Sequence, residues 1–171
     1  MWKKTCLLLG ALLLVAGSAA ADQIMFGATL NATPGEPDFE ESRPSLFAAY
    51  EAQALWRFSF TTSEYEHETN SNVKLNARIV GFERMFVYQM GQNVLLIGGF
   101  GPGYFTAEVD TPGGTESGNA VGLLASGELR FYFGQGFFDA GFHYRNAAVE
   151  VNDSTVNGGY QGFFAAGGFK F

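Results

Sequence analysis

The stretch "LWRFSFTTS" (residues 55–63) alternates with a period of two: Trp56, Phe58 and Phe60 share one side of an extended chain, Arg57, Ser59 and Thr61 the other. "VKLNARI" (73–79) repeats the pattern, setting Val73, Leu75, Ala77 and Ile79 against Lys74, Asn76 and Arg78. A two-residue period is the mark of a strand with one apolar and one polar face. Beyond the N-terminus no stretch is long and apolar enough for a membrane helix. Val94 to Ala107 comes closest, and it contains four glycines and a proline.

Extended along the chain, the same period predicts eight strands, at roughly 23–31, 45–52, 55–66, 73–87, 94–109, 119–133, 137–150 and 160–171. The connections after strands 1, 3, 5 and 7 are long and polar, as in "ATPGEPDFEESRP" and "DTPGGTESG". Those after strands 2, 4 and 6 are short, as in "GQG". Alternating long and short connections mean up-and-down hairpins with two unequal rims.

Alternation alone fits a soluble sandwich as well, with its apolar face turned inward. An export signal argues for the inverse arrangement. Lys3 and Lys4 form a positive n-region, Cys6 to Ala16 an apolar h-region, and Ala19-Ala20-Ala21 before Asp22 a cleavage site, so residues 1–21 read as a secretory signal peptide. Residues 22–171 then form one domain. They contain no cysteine, since Cys6 is the sole one, so export does not serve disulfide chemistry. The mature part sets 8 Lys and Arg against 17 Asp and Glu, a formal charge of −9, which argues against nucleic acid as a partner.

An even strand count, strands of about ten residues and one short rim fit a transmembrane barrel with its apolar face outward. Aromatics gather near strand ends, among them Tyr50, Trp56, Phe86, Tyr88, Phe131, Phe133 and Phe138, as interfacial girdles require. The expected fold is therefore all-β: an eight-stranded antiparallel up-and-down transmembrane β-barrel.

"FFDAGFHYRN" followed by a loop and "YQGFFAAGGFKF" resembles the last two strands of the small outer-membrane β-barrel family typified by OmpA and OmpX. The resemblance implies eight strands, periplasmic termini and residence in the outer membrane of a Gram-negative cell. It also implies that Phe169 and Phe171 belong to a C-terminal sorting signal read by the outer-membrane insertion machinery. The glycine of that signal falls on Ala166, with Gly167 one residue later.

With Leu123, Leu129, Phe131 and Phe133 facing out on strand 6, and Phe138, Ala140, Phe142 and Tyr144 on strand 7, a turn about Gln135-Gly136 pairs Phe133 with Phe138. That register sets Glu128 opposite His143 and Tyr132 opposite Asp139. Glu128, Arg130, Asp139, His143 and Arg145 then form one ionic cluster inside the barrel, joined by Glu51, Arg57, Lys74, Arg78 and Lys170. An eight-stranded barrel is just wide enough for side chains to fill, so these charges are expected to neutralise one another and leave no channel.

Other chemistries find weaker support. "HYRNA" (143–147) resembles the His-x-Ser-Asn-Ala stretch of PagL-type lipid A deacylases, but Arg145 stands at the nucleophile position and Gln161 at the acidic one. Neither can do that work. His67, among Glu64, Glu66 and Glu68, lacks a second ligand set at zinc spacing. Of the pattern of PagP-type palmitoyl transferases it keeps Ser63 nearby and nothing more. "GGFGPGYF" (98–105) has the wrong spacing for a phosphate loop; Pro102 is expected to mark a bulge or, less readily, a lateral opening. Glu36, Asp38, Glu40 and Glu41 make the first loop acidic, suited to divalent cations bridging lipopolysaccharide or to a basic partner.

These observations lead to a monomeric, non-enzymatic outer-membrane barrel with no cofactor and no metal. Its expected partners are outer-membrane lipid and lipopolysaccharide, with a role in envelope integrity or in binding through its loops. A lipid A-modifying enzyme and a channel for small or hydrophobic solutes are the alternatives.

Overall fold

The computed structural model describes residues 21–34, 38–52, 55–152 and 154–171; the expected signal peptide otherwise lies outside them. Seven long strands follow one another: β1 (Ala21–Pro34), β2 (Phe39–Ala52), β3 (Trp56–His67), β4 (Asn70–Gln89), β5 (Val94–Thr111), β6 (Gly114–Phe133) and β7 (Gly136–Asn146). A short hairpin, β8 (Ala148–Val151) with β9 (Ser154–Asn157), precedes the last strand, β10 (Tyr160–Lys170). β10 pairs antiparallel with both β7 and β1, so β1 to β7 and β10 form a closed eight-stranded barrel. Closure leaves no unpaired sheet edge.

The connections differ from expectation in kind. β3 and β4 are joined through Glu68-Thr69 and β5 and β6 through Pro112-Gly113, so most of the residues read as long loops extend the strands instead. Their polarity is that of a sheet standing in water. The first residues of β1, the last of β10 and the β4–β5 and β6–β7 turns lie at one end of the cylinder, here the terminal end; the extended hairpins form the loop end.

The register between β6 and β7 also corrects the sequence reading. Phe133 pairs with Gly136 around Gly134-Gln135, and Phe131 rather than Phe133 faces Phe138. Gly134 has φ of 68°, the positive value that a type II′ hairpin turn needs at its first central residue. The shift is two residues, an even number, so every side chain keeps its expected face and changes only its partner. Arg130 now stands directly opposite Asp139.

Pro102 marks no bulge. The pairs Gly81–Gly103 and Arg84–Phe100 keep one register across it, and Pro102 faces outward beside Leu123. The strands draw together there: a Cβ added to Gly101 would lie 1.9 Å from the carbonyl oxygen of Phe82.

On the outer wall, Phe60, Val80, Tyr104 and Val121 are successive partners across β3 to β6. The next outward row toward the loop end is Thr62, Arg78, Thr106 and Asn119, followed by Glu64, Asn76, Glu108 and Ser117. Toward the terminal end the wall is apolar apart from Arg84, with Phe26, Phe86, Phe100, Phe131 and Phe163 exposed. One line therefore divides an oily surface from a polar one.

The interior changes at the same level, in the opposite sense. Inside the polar part of the wall, Tyr65, Leu75, Ala77, Ile79, Phe105, Ala107 and Leu124 pack into an apolar core with Val149 and Val151 of β8 and Tyr160 of β10. Leu75, Ala77 and Ile79 were expected to face lipid; they are buried in the lumen, and Lys74, Asn76 and Arg78 take the outer face of this part of the wall. Replacing Leu124 by Ala should lower the unfolding free energy by about 2–5 kcal/mol, as read by urea unfolding in lipid vesicles.

Candidate functional site

Inside the oily part of the wall the lumen is charged. Strand parity sends Glu51 (β2), Arg57 (β3), Glu83 (β4), Glu128 and Arg130 (β6), and Asp139 and Arg145 (β7) inward, and all seven are buried. Arg130 is among the most deeply buried of them. Its Nε and Nη2 donate to Asp139 at 2.8 and 2.7 Å, its Nη1 donates to Glu51 Oε2 at 2.6 Å and to Gln23 Oε1 at 2.5 Å. Its guanidinium also stacks 4.2 Å from the ring centroid of Phe137.

Arg57 extends the network. Its Nε donates to Glu51 Oε1 at 2.7 Å and its Nη2 to Glu128 Oε1, which also accepts from Arg130 at 3.3 Å. Through Ser126, whose Oγ accepts from Arg57 at 3.5 Å and donates to Glu83 at 3.0 Å, the network reaches Arg145, 3.3 Å from the second oxygen of Glu83. Guanidinium suits this role better than ammonium, since its planar fork can serve several carboxylates at once.

Of the five residues expected to cluster, Glu128, Arg130 and Asp139 meet directly and Arg145 joins at the edge. His143 stands apart from the carboxylates. Its ring stacks on Phe164 at 4.0 Å and meets Phe47 edge-on at 5.0 Å, and its Nδ1 has no hydrogen-bond partner among the described residues. The two-residue register shift removes Glu128 from opposite it and puts Ser126 there.

Lys74 and Arg78, expected in the lumen, are on the outer wall. Lys74 pairs with Glu66 at 3.0 Å and Glu64 at 3.4 Å, and Arg78 with Glu108 at 3.1 Å, all within the polar rows. Lys170 reaches the terminal-end mouth of the lumen. Glu83, Gln23 and Tyr132 belong to the inner network and were not anticipated. Their signal was parity: Glu83 alternates with Phe82 and Arg84, and Arg84 sits outside with its guanidinium 5.1 Å from the Trp56 ring centroid.

His67 lies at a hairpin tip, where its Nδ1 accepts from the Thr69 backbone N–H at 3.3 Å and its ring meets Phe39. Among the described residues no cluster of His, Cys, Asp and Glu is arranged to hold a metal ion. Gln161 faces outward from β10 and is exposed, whereas His143 and Arg145 point into the lumen.

No protein-family model matches the chain, and no curated protein matches it; the likeness is structural. Neisserial surface protein A superposes with a TM-score of 0.62 at 18% identity, covering 90% of this chain and 98% of that one. Ail, the attachment invasion locus protein of Yersinia pestis, solved with the heparin analogue sucrose octasulfate, gives 0.50 at 16% identity over 88% and 97%. The fold is that of the small eight-stranded outer-membrane barrels.

The two kinds of arginine separate experimentally. Arg130→Ala strands buried carboxylates and should cost about 3–5 kcal/mol, whereas Arg78→Ala removes a pair on the wetted outer wall and should cost under about 1 kcal/mol. Urea-unfolding midpoints of the two variants in lipid vesicles provide the comparison.

Proposed function

We propose that the chain is a monomeric, non-enzymatic barrel of the outer membrane that conducts no solute and uses its protruding loop end for envelope integrity or for contact with partners outside the cell. The observation that carries this reading is the filled lumen: a salt-bridged layer lies within the oily part of the wall, and an apolar layer, reinforced by the β8–β9 hairpin, lies beyond it. The terminal end faces the periplasm in this reading, and residues 1–21 are the export signal removed on the way. Phe169 and Phe171, both outward and exposed, serve as the terminal aromatics that the insertion machinery reads.

Lipopolysaccharide is the partner best placed to meet the wall. The polar rows beginning at Thr62, Arg78, Thr106 and Asn119 stand directly above the apolar band, at the height of the lipid's sugars and phosphates. Exposed Asp38, Glu40, Glu116 and Glu150 make the loop end acidic, which favours divalent cations bridging to lipid phosphate, or a basic partner. Ail was solved with a polyanion; an acidic loop end calls for different partner chemistry here.

A lipid A hydrolase is disfavoured by facing. His143 and Gln161 project to opposite sides of the wall, and His143 is enclosed by two phenylalanines, so the two cannot act on one acyl ester. The refolded protein in a planar bilayer should show no stable open level, and mass spectra of lipid A from cells with and without it should coincide. A stable conductance would install the channel reading, and a change in acyl chain number the enzymatic one. Deleting Phe171 should slow insertion in an assay with the reconstituted machinery, leaving the folded barrel's unfolding midpoint nearly unchanged.

A further inference from the structure

The terminal-end mouth of the lumen is lined differently from the layers above it. A cavity of about 270 Å³ opens there, and one wall of it is apolar: Leu55, Met85, Val87, Leu95 and Ile97. On the ends of β4 and β5 the outward neighbours Phe86, Tyr88 and Leu96 are apolar as well. A strand pair that is oily on both faces is one that expects cover on both. Lipid covers the outside.

The opposite wall is polar, and most of it is already committed. Arg130 donates to Asp139, Glu51, Glu128 and Gln23, so its guanidinium has no donor left for a ligand. Two donor groups at the rim are not part of that network. Gln23 Oε1 accepts from both Arg130 and Tyr132, which turns its amide nitrogen away from them. Lys170 is the direct cross-strand partner of Gln23 at the β1–β10 seam, and no salt bridge or side-chain hydrogen bond of its ammonium is found among the described residues. An amide N–H₂ and an ammonium thus stand side by side facing an oily wall.

We propose that this mouth binds a single-chain amphiphile with a carboxylate head, of the fatty-acid class, entering from the periplasmic side. The carboxylate takes charge-assisted hydrogen bonds from Lys170 Nζ and Gln23 Nε2, and the first part of the chain lies along Met85, Val87, Leu95 and Ile97. The cavity falls just below the ~300–1,000 Å³ of ordinary small-molecule sites, so it holds one slender chain and not a two-tailed phospholipid. The apolar and ionic layers end the site on its inner side, which makes it a receptacle rather than the entrance of a pore.

The methionines supply an internal control. Met85 lines the cavity, Met25 is buried deeper in the lumen, and Met90 is exposed at the rim outside it. In lipid nanodiscs carrying methyl-labelled methionine, doxyl-labelled decanoate should broaden the Met85 methyl signal saturably, leave Met25 less affected, and broaden Met90 in linear proportion to its partitioning into lipid. Lys170→Gln should weaken the Met85 saturation by roughly tenfold, and the methyl ester of the same probe should lose it. Lys170 lies outside the buried network, so this variant keeps the fold; its mobility on an unheated detergent gel verifies that. Met85 broadening that tracks Met90 without saturating, or that Lys170→Gln and esterification leave unchanged, would overturn the proposal. Such a result would leave the non-conducting barrel intact, because that reading rests on the layers above the mouth.

Discussion

A strand crossing hydrocarbon has no water to satisfy its backbone, so each N–H and C=O must find a neighbouring strand and the sheet must close on itself. Pairing of β10 with β1 meets this demand. Closure then fixes parity: along any one strand, odd and even residues keep to the same two faces from end to end. What changes along the strand is the medium outside. On β4 the outward residues run Lys74, Asn76, Arg78, then Val80 and Phe82, while the inward ones run Leu75, Ala77, Ile79, then Gly81 and Glu83. The inversion of both faces at one level is the chain's answer to leaving the bilayer within a single uninterrupted sheet.

The charged layer follows from the same constraint. Within the band the outer face is reserved for acyl chains, so the inner face is where polar side chains can go, and eight strands leave no room for bulk water around them. Charges stripped of water need partners of good geometry. Arg130 and Arg57 provide it by spanning strands far apart in sequence, Arg130 joining β1, β2, β6 and β7 and Arg57 joining β2, β3 and β6. The network therefore ties together the β6–β7 and β2–β3 hairpins, which are not neighbours in the barrel.

Much of this was legible in the sequence, because a two-residue period survives any even error. The eight strands, the outward faces of Phe131, Phe138 and Phe142, and the inward faces of Arg130 and Asp139 all follow from alternation. What alternation cannot supply is partner identity. Placing the turn at Gln135-Gly136 rather than Gly134-Gln135 moved every partner by two and gave His143 a carboxylate that it does not have. The second limit is that alternation names two faces without saying which one is wet. Leu75 and Phe58 carry the same signal, yet one lies in the lumen and the other on the outer wall. The deciding information was on the opposite face: Lys74, Asn76 and Arg78 in a row exclude lipid, whereas Arg57, Ser59 and Thr61 can be paired or buried inside. Polar extensions such as "TESG" read as loops for the same reason, since outward Thr115 and Ser117 are what a strand in water carries.

The order of the two inner layers bears on passage through the barrel. Salt bridges can exchange partners, so a charged layer alone could open a wetted path by rearranging a few side chains. The apolar layer has no such alternative. Leu75, Ile79, Phe105 and Leu124 offer water nothing to replace its hydrogen bonds, and Val149 and Val151 of the β8–β9 hairpin complete their packing from the loop end. Opening that layer means withdrawing a hairpin that lies against β6 and β5, which exposes apolar surface to water. A solute would therefore need a rearrangement of backbone at the loop end, beyond any exchange of ion pairs below it.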